Sequence, residues 1–96
     1  MVIGILRIDL YMNENRSLKA KRQILKSLIH RVHSRFSNVS ISEVDSNDLW
    51  QKATIGISFV GNEKRYVNSM LDKVTGFIES TGVVQMGERE FEIIHF

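Results

Sequence analysis

Residues 39–62 read VSISEVDSNDLWQKATIGISFVGN, and their pattern decides the fold. Lys52 to Val60 alternates strictly: Ala53, Ile55, Ile57 and Phe59 form one set, Thr54, Gly56, Ser58 and Val60 the other. A period of two places each set on one face of a strand. Val39 to Asp45 is a shorter strand with Val39 and Ile41 in phase, and Ser46-Asn47-Asp48 between the two is turn chemistry. Strands this close in sequence pair antiparallel, with no crossover helix between them. Gly61-Asn62 ends the longer strand, and Asn62 is the expected cap of a helix that follows.

Outward from this pair, the pattern changes to a helical one on both sides. Residues 63–80 place Val67, Met70, Leu71, Val74, Phe77 and Ile78 on one face, with Gly82 as the stop. Upstream, a helix is expected over Leu18–Phe36, capped by Ser17 and closed by Asn38 in the left-handed conformation. Its stripe is Leu18, Leu25, Leu28, Ile29, Val32 and Phe36. Before it, residues 2–12 read as a strand, Leu6, Ile8 and Leu10 alternating with Arg7, Asp9 and Tyr11, and Asn13-Glu14-Asn15 as a turn. A last strand starts at Val83. It either runs on with a bulge at Gly87 or turns there into a hairpin with Phe91 to Ile94.

The resulting order, β-α-β-β-α-β, is the split βαβ pattern of an α+β ferredoxin-like sandwich. Right-handed crossovers give an antiparallel sheet in the order 4-1-3-2 with both helices on one face. At 96 residues the chain makes one domain, residues 1–96. It has no cysteine, which excludes disulfides and thiolate metal or redox chemistry. The apolar start, Val2 to Leu6, is broken by Arg7 and Asp9, too soon for a signal peptide or a membrane span. A cytoplasmic protein with no membrane partner is expected.

Net charge is only +2, but it is unevenly spread. Seven basic residues lie between Arg16 and Arg35, and no acid occurs from Asn15 through Ser42. The rest of the chain carries six bases against eleven acids. Such asymmetry points to an anionic partner. The run Arg16-Ser17-Leu18-Lys19-Ala20-Lys21-Arg22 opens the first helix, whose free N–H groups and dipole attract anions. Arg16, Ser17, Lys19, Lys21, Arg22 and Lys26 are the candidate phosphate or RNA contacts. Lys19, Arg22 and Lys26 share one flank with His30 and His33; Lys21, Arg31 and Arg35 lie on the other. Against this stands the plainer reading of a solvated, soluble helix whose long side chains cover apolar surface.

The sheet face away from the helices should carry Ile3, Ile5, Arg7, Asp9 and Tyr11, with Thr54, Gly56, Ser58 and Val60. RNA-recognition modules of this topology stack bases on central-strand aromatics, and here Tyr11 is alone. Ile3, Ile5 and Val60, with Trp50, instead form a candidate contact surface for a homodimer or protein partner, unless the C-terminal residues cover it. Glu43, Asp45 and Asp48 offer oxygen ligands, but without EF-hand spacing or its glycine. Ion pairs from Glu43 and Asp45 to Arg7 or Lys52 are the simpler expectation. No catalytic constellation is visible: His30 and His33 lack a nearby acid, His95 is near the C-terminus, Ser17 has no local base, and no phosphate loop or zinc signature occurs. No cofactor and no metal are expected.

Ser17-Leu18-Lys19-x-Lys21-Arg22, followed by Glu43-Val44-Asp45-x-x-Asp48-Leu49-Trp50-Gln51-Lys52-Ala53, resembles the YlxP-like family of small bacterial proteins of unassigned function. The resemblance covers nearly the whole chain and implies a ferredoxin-like fold. It also implies a link to translation, because the family's genes often neighbour those for initiation and ribosome-binding factors. One departure is Ala20, where relatives often carry an acid that completes a capping box with Ser17. Together these features lead to the expectation of a non-catalytic protein that contacts RNA or the ribosome through its first helix. The alternative is an interaction or homodimerisation module using the open sheet face.

Overall fold

Val2–Tyr11 (β1) buries Val2, Leu6, Ile8 and Leu10 and turns Ile3, Ile5, Arg7, Asp9 and Tyr11 to the opposite face. This alternation makes β1 a central strand of the computed structural model, which describes residues 1–96. The other elements are Leu18–Arg35 (α1), Ser40–Asp45 (β2), Lys52–Gly61 (β3), Lys64–Ser80 (α2) and Gln85–His95 (β4). The sheet order is β2-β3-β1-β4, every pair antiparallel, as the split βαβ order predicts. β1 and β3 pair along their whole length, from Val2 opposite Gly61 to Tyr11 opposite Lys52.

Both helices cover one sheet face. Leu25, Leu28 and Val32 of α1, and Val67, Leu71, Val74 and Ile78 of α2, enclose a single core with Leu6, Ile8, Leu10, Ile55, Ile57 and Phe59. Each fully buried large side chain contributes about 1.5–3 kcal/mol. Phe36 and Phe77 join the two helices edge to face at 5.9 Å. α2 lies so close to β1 at Gly4 that a Cβ there would sit 2.5 Å from Val67 Cγ1.

Two local expectations are corrected and one open choice is decided. Phe36, not Asn38, ends α1: its N–H bonds Val32 O, and the left-handed conformation occurs only at Ser46 and Gly82. Glu63, not Asn62, sits at the start of α2, where its carbonyl accepts from Val67 N and no side chain caps. Of the two alternatives for the last strand, the bulged one is found: residues 85–95 form one strand, not a hairpin. Between the pairs Ile8–Arg89 and Leu10–Met86, β4 carries one extra residue. This bulge lies at Gly87, where a side chain would collide with the Tyr11 ring.

Candidate nucleic-acid interface

α1 begins with Ser17 in extended backbone, its Oγ accepting from Ala20 N at 3.1 Å. Lys21 N–H bonds Ser17 O, and the Leu18 and Lys19 N–H groups meet no acceptor of the chain. The first turn contains no acid. Arg16, Lys19, Arg22 and Lys26 are exposed, and none makes an ion pair with a carboxylate of the chain. Past them, His30 and His33 continue the same exposed flank.

Lys21 is different, and its placement on an exposed flank is corrected. It is 1% exposed, its phase on the helix directing it inward with Leu25 and Leu28. Its Nζ donates to Ser46 O at 2.6 Å and lies 2.9 Å from Glu43 Oε2. That buried carboxylate oxygen has no aligned hydrogen-bond donor, so the ammonium meets its charge alone. The other two bases of that flank are also engaged within the fold: Arg31 and Arg35 stack over Phe77 at 5.8 and 5.1 Å. Of that flank, Lys21 is buried in the fold and the exposed Arg31 and Arg35 rest on Phe77, whereas the bases of the other flank have no such contact.

Lys21 is one of three anchors that fix the β2–β3 loop beside the start of α1. Asn15, buried, donates from Nδ2 to Trp50 O at 2.7 Å and to Ser17 O at 3.2 Å. Gln51 Nε2 donates to Asn13 O and Asn15 O. Ser46, at φ 63°, is held by its neighbours: Asp45 Oδ1 accepts from its N–H, and its carbonyl accepts from Lys21 and Leu49 N. Thr54 donates to Asp9 Oδ1, so the Ser46 hydroxyl donates to Thr54. The loop tip, Asn47 to Trp50, is left exposed, Trp50 at 54%. Asn15 read in the sequence only as a turn residue and Gln51 only as part of the motif shared with the YlxP-like family; neither signals an anchor. Leu49, of the same motif, is half exposed.

The carboxylates diverge rather than cluster. Glu43 meets Lys21, Asp45 pairs with Arg7 at 3.6 Å, and Asp48 is exposed. Lys52 pairs with Asp9 at 3.8 Å.

On the open sheet face the register sets Ile3 beside Val60 and Ile94, and Ile5 beside Ser58 and Glu92. The apolar cluster of Ile3, Ile5 and Val60 thus lies at one end of the face. The C-terminal residues do not cover it, because β4 lies beside β1 and Phe96 N–H reaches Met1 O. Trp50 belongs to the other end, next to the Tyr11–Lys52 pair. Eight residues of strand, roughly 27 Å, separate the two ends, so Trp50 is not part of that surface. A shallow groove of about 530 Å³ crosses the middle of the face, lined by Ile5, Arg7, Val44, Ser58, Phe91 and Glu92 among others. Charged side chains on the open face are Arg7 and Lys52 against Asp9, Asp45, Glu90 and Glu92. That face is net acidic; the outer flank of α1 is basic.

These features define a small ferredoxin-like α+β domain whose two broad faces carry opposite charge. The chain belongs to the family described as "Protein of unknown function (DUF503)", whose model matches residues 3–91. It is 37% identical over 79 residues to "Uncharacterized protein YlxP" of Bacillus subtilis (strain 168), covering 82% of this chain and 85% of that one. Among solved structures it is similar to "De novo designed protein Foldit4", with a TM-score of 0.52 and 12% identity over 99% of this chain and 97% of the other. That likeness concerns the fold alone. The two segments that carry the YlxP resemblance meet in space: Lys21 of the first contacts Glu43 and Ser46 in the second. No helix is long and apolar enough to cross a membrane.

Proposed function

We propose that this protein is a non-catalytic, cytoplasmic RNA-binding protein that grips phosphates with the outer flank of α1. One observation carries the reading. The basic residues of α1 divide into a set used internally, Lys21, Arg31 and Arg35, and a set with no partner in the chain, Arg16, Lys19, Arg22 and Lys26. The free set stands at a helix start with unpaired N–H groups and no acid, where phosphate oxygens are favoured. The acidic open face repels the same ligand, which restricts contact to the helix side. The link to translation implied by the YlxP resemblance makes ribosomal RNA the first target to try. Electrophoretic titration of ribosomal RNA fragments at low salt tests the proposal. Binding is expected, and charge reversal of Lys19, Arg22 and Lys26 together is expected to abolish it. Undiminished affinity in that triple variant overturns the reading.

A second reading is favoured by the uncovered Ile3, Ile5, Val60 and Ile94 end of the sheet: two copies meeting through this face. Light scattering tests it. A strictly monomeric protein at micromolar concentration removes it.

A further inference from the structure

We infer that the ligand of this surface is single-stranded RNA, with one unpaired base stacked on Trp50 while the adjoining phosphates lie along α1; the inference rests on the phosphate-binding reading above. Trp50 is the one tryptophan of the chain, and more than half of it is exposed. An exposed indole in a short loop is normally free to move. Here the loop is tied at one end to α1 and at the other to the segment that leads into it. The Asn15 amide bridges the carbonyls of Trp50 and Ser17, so the backbone at Trp50 is tied to the segment that leads into α1. Lys21, buried within the first helical turns, clamps the loop's beginning at Ser46 O. Gln51 adds two further bonds to the chain before α1.

The buried lysine and the left-handed Ser46 both fix the backbone of the loop that carries Trp50, beside the start of α1. Preorganisation of this kind spares the ligand the ordering of the loop. A stacking surface beside a basic track is what a single strand recognises, since its bases are available to an aromatic ring and its phosphates are not locked in a duplex. The sheet face is a poorer platform: Tyr11 stands at the end of β1, β3 offers Thr54, Gly56 and Ser58, and the exposed Phe91 of β4 lies between Glu90 and Glu92, which repel phosphate. The contact is therefore expected at a single base, with little sequence preference, because every base has a stacking face.

The lone tryptophan makes the test direct. The intact protein is titrated at low salt with a fluorescein-labelled twelve-nucleotide oligouridylate and with a twelve-base-pair RNA duplex, following both anisotropy and Trp50 emission. Quenching of Trp50 by the oligonucleotide, and weaker binding of the duplex without comparable quenching, is the expected result. Trp50→Ala should weaken the single strand about tenfold, in the range for one stacked base, and leave the duplex unchanged. Trp50→Phe should restore part of the loss, and circular dichroism confirms that both variants fold. Binding without a change in Trp50 emission, with Trp50→Ala as tight as the parent or the duplex preferred, overturns the single-strand inference and leaves the phosphate reading standing. Failure of both RNAs to bind overturns the two together.

Discussion

Lys21 shows how one residue can look like part of a binding surface and belong to the interior. Its neighbours in sequence are bases, and a basic run reads as exposed. Its phase, three residues after Leu18 and four before Leu25, is that of the core stripe, the one signal that distinguishes it from Lys19 and Arg22. Its counter-ion Glu43 lies across a helix and a strand, beyond any local pattern. Removing one member of a buried ion pair strands the other. Lys21→Ala is therefore expected to lower stability by about 3 kcal/mol, the low end for such losses, because Glu43 keeps 20% of its side chain in water. Urea unfolding measures this as a lower midpoint at unchanged slope. Replacing the pair together, Lys21→Met with Glu43→Leu, should recover most of the loss, since no charge is then left unpaired. Gly4 makes the complementary case, where the absence of a side chain is what matters. Val67 Cγ1 and Leu71 Cδ1 would stand 2.5 and 2.8 Å from an added Cβ. Both belong to a packed core, so Gly4→Ala should cost about 1–3 kcal/mol by the same assay.

At the level of elements, periodicity alone was enough to read the order, the strand faces and both helices, because each apolar set is continuous and flanked by turn residues. It was insufficient where a neighbour in space decides. Gly87 allowed a bulge or a hairpin; pairing with β1 on both sides of it decides for the bulge, and the Tyr11 ring explains why that position has no side chain. The same holds for the helix ends, where Asn38 and Asn62 are good caps in principle and the chain places Phe36 and Glu63 there instead. Of the candidate site, the free bases were legible from charge and phase. The loop anchors were not, since Asn15 and Gln51 act through backbone carbonyls, which have no sequence signature. Ser17 was legible and is a working cap. Ser17→Ala should destabilise the protein by about 1 kcal/mol, seen as a lower melting temperature, with helix α1 fraying first in amide exchange. With no acid in the first turn, little else offsets the positive end of this helix, so the loss should be larger than for Glu63 of α2, which caps with no side chain.

Across the whole molecule, charge is sorted by face. The outer flank of α1 carries Arg16, Lys19, Arg22 and Lys26, and the open sheet carries four carboxylates against Arg7 and Lys52. A net charge of +2 conceals this separation, and the dipole it creates orients an anionic polymer before contact. It also bears on self-association. β4 is an exposed edge whose open-face row includes Glu90 and Glu92. Pairing two β4 edges antiparallel sets these glutamates against one another in the central registers, which guards the edge against sheet extension. Contact between copies through the apolar end of the open face lies far from the basic helix, so RNA binding and dimerisation of that kind are separable. Salt dependence measures the first of these in isolation. With Lys21 buried, four bases remain to displace counterions. The logarithm of the RNA affinity should fall with the logarithm of salt at a slope of about −2.8 to −3.6, between single-strand and duplex behaviour. Lys26→Ala should reduce the magnitude of that slope by about one unit, whereas Trp50→Ala should lower affinity at every salt concentration and leave the slope where it was. Ile5→Ser, on the opposite face, should alter neither. A slope near zero, or one that Lys26→Ala does not change, would show that phosphate contact is not what this helix is for.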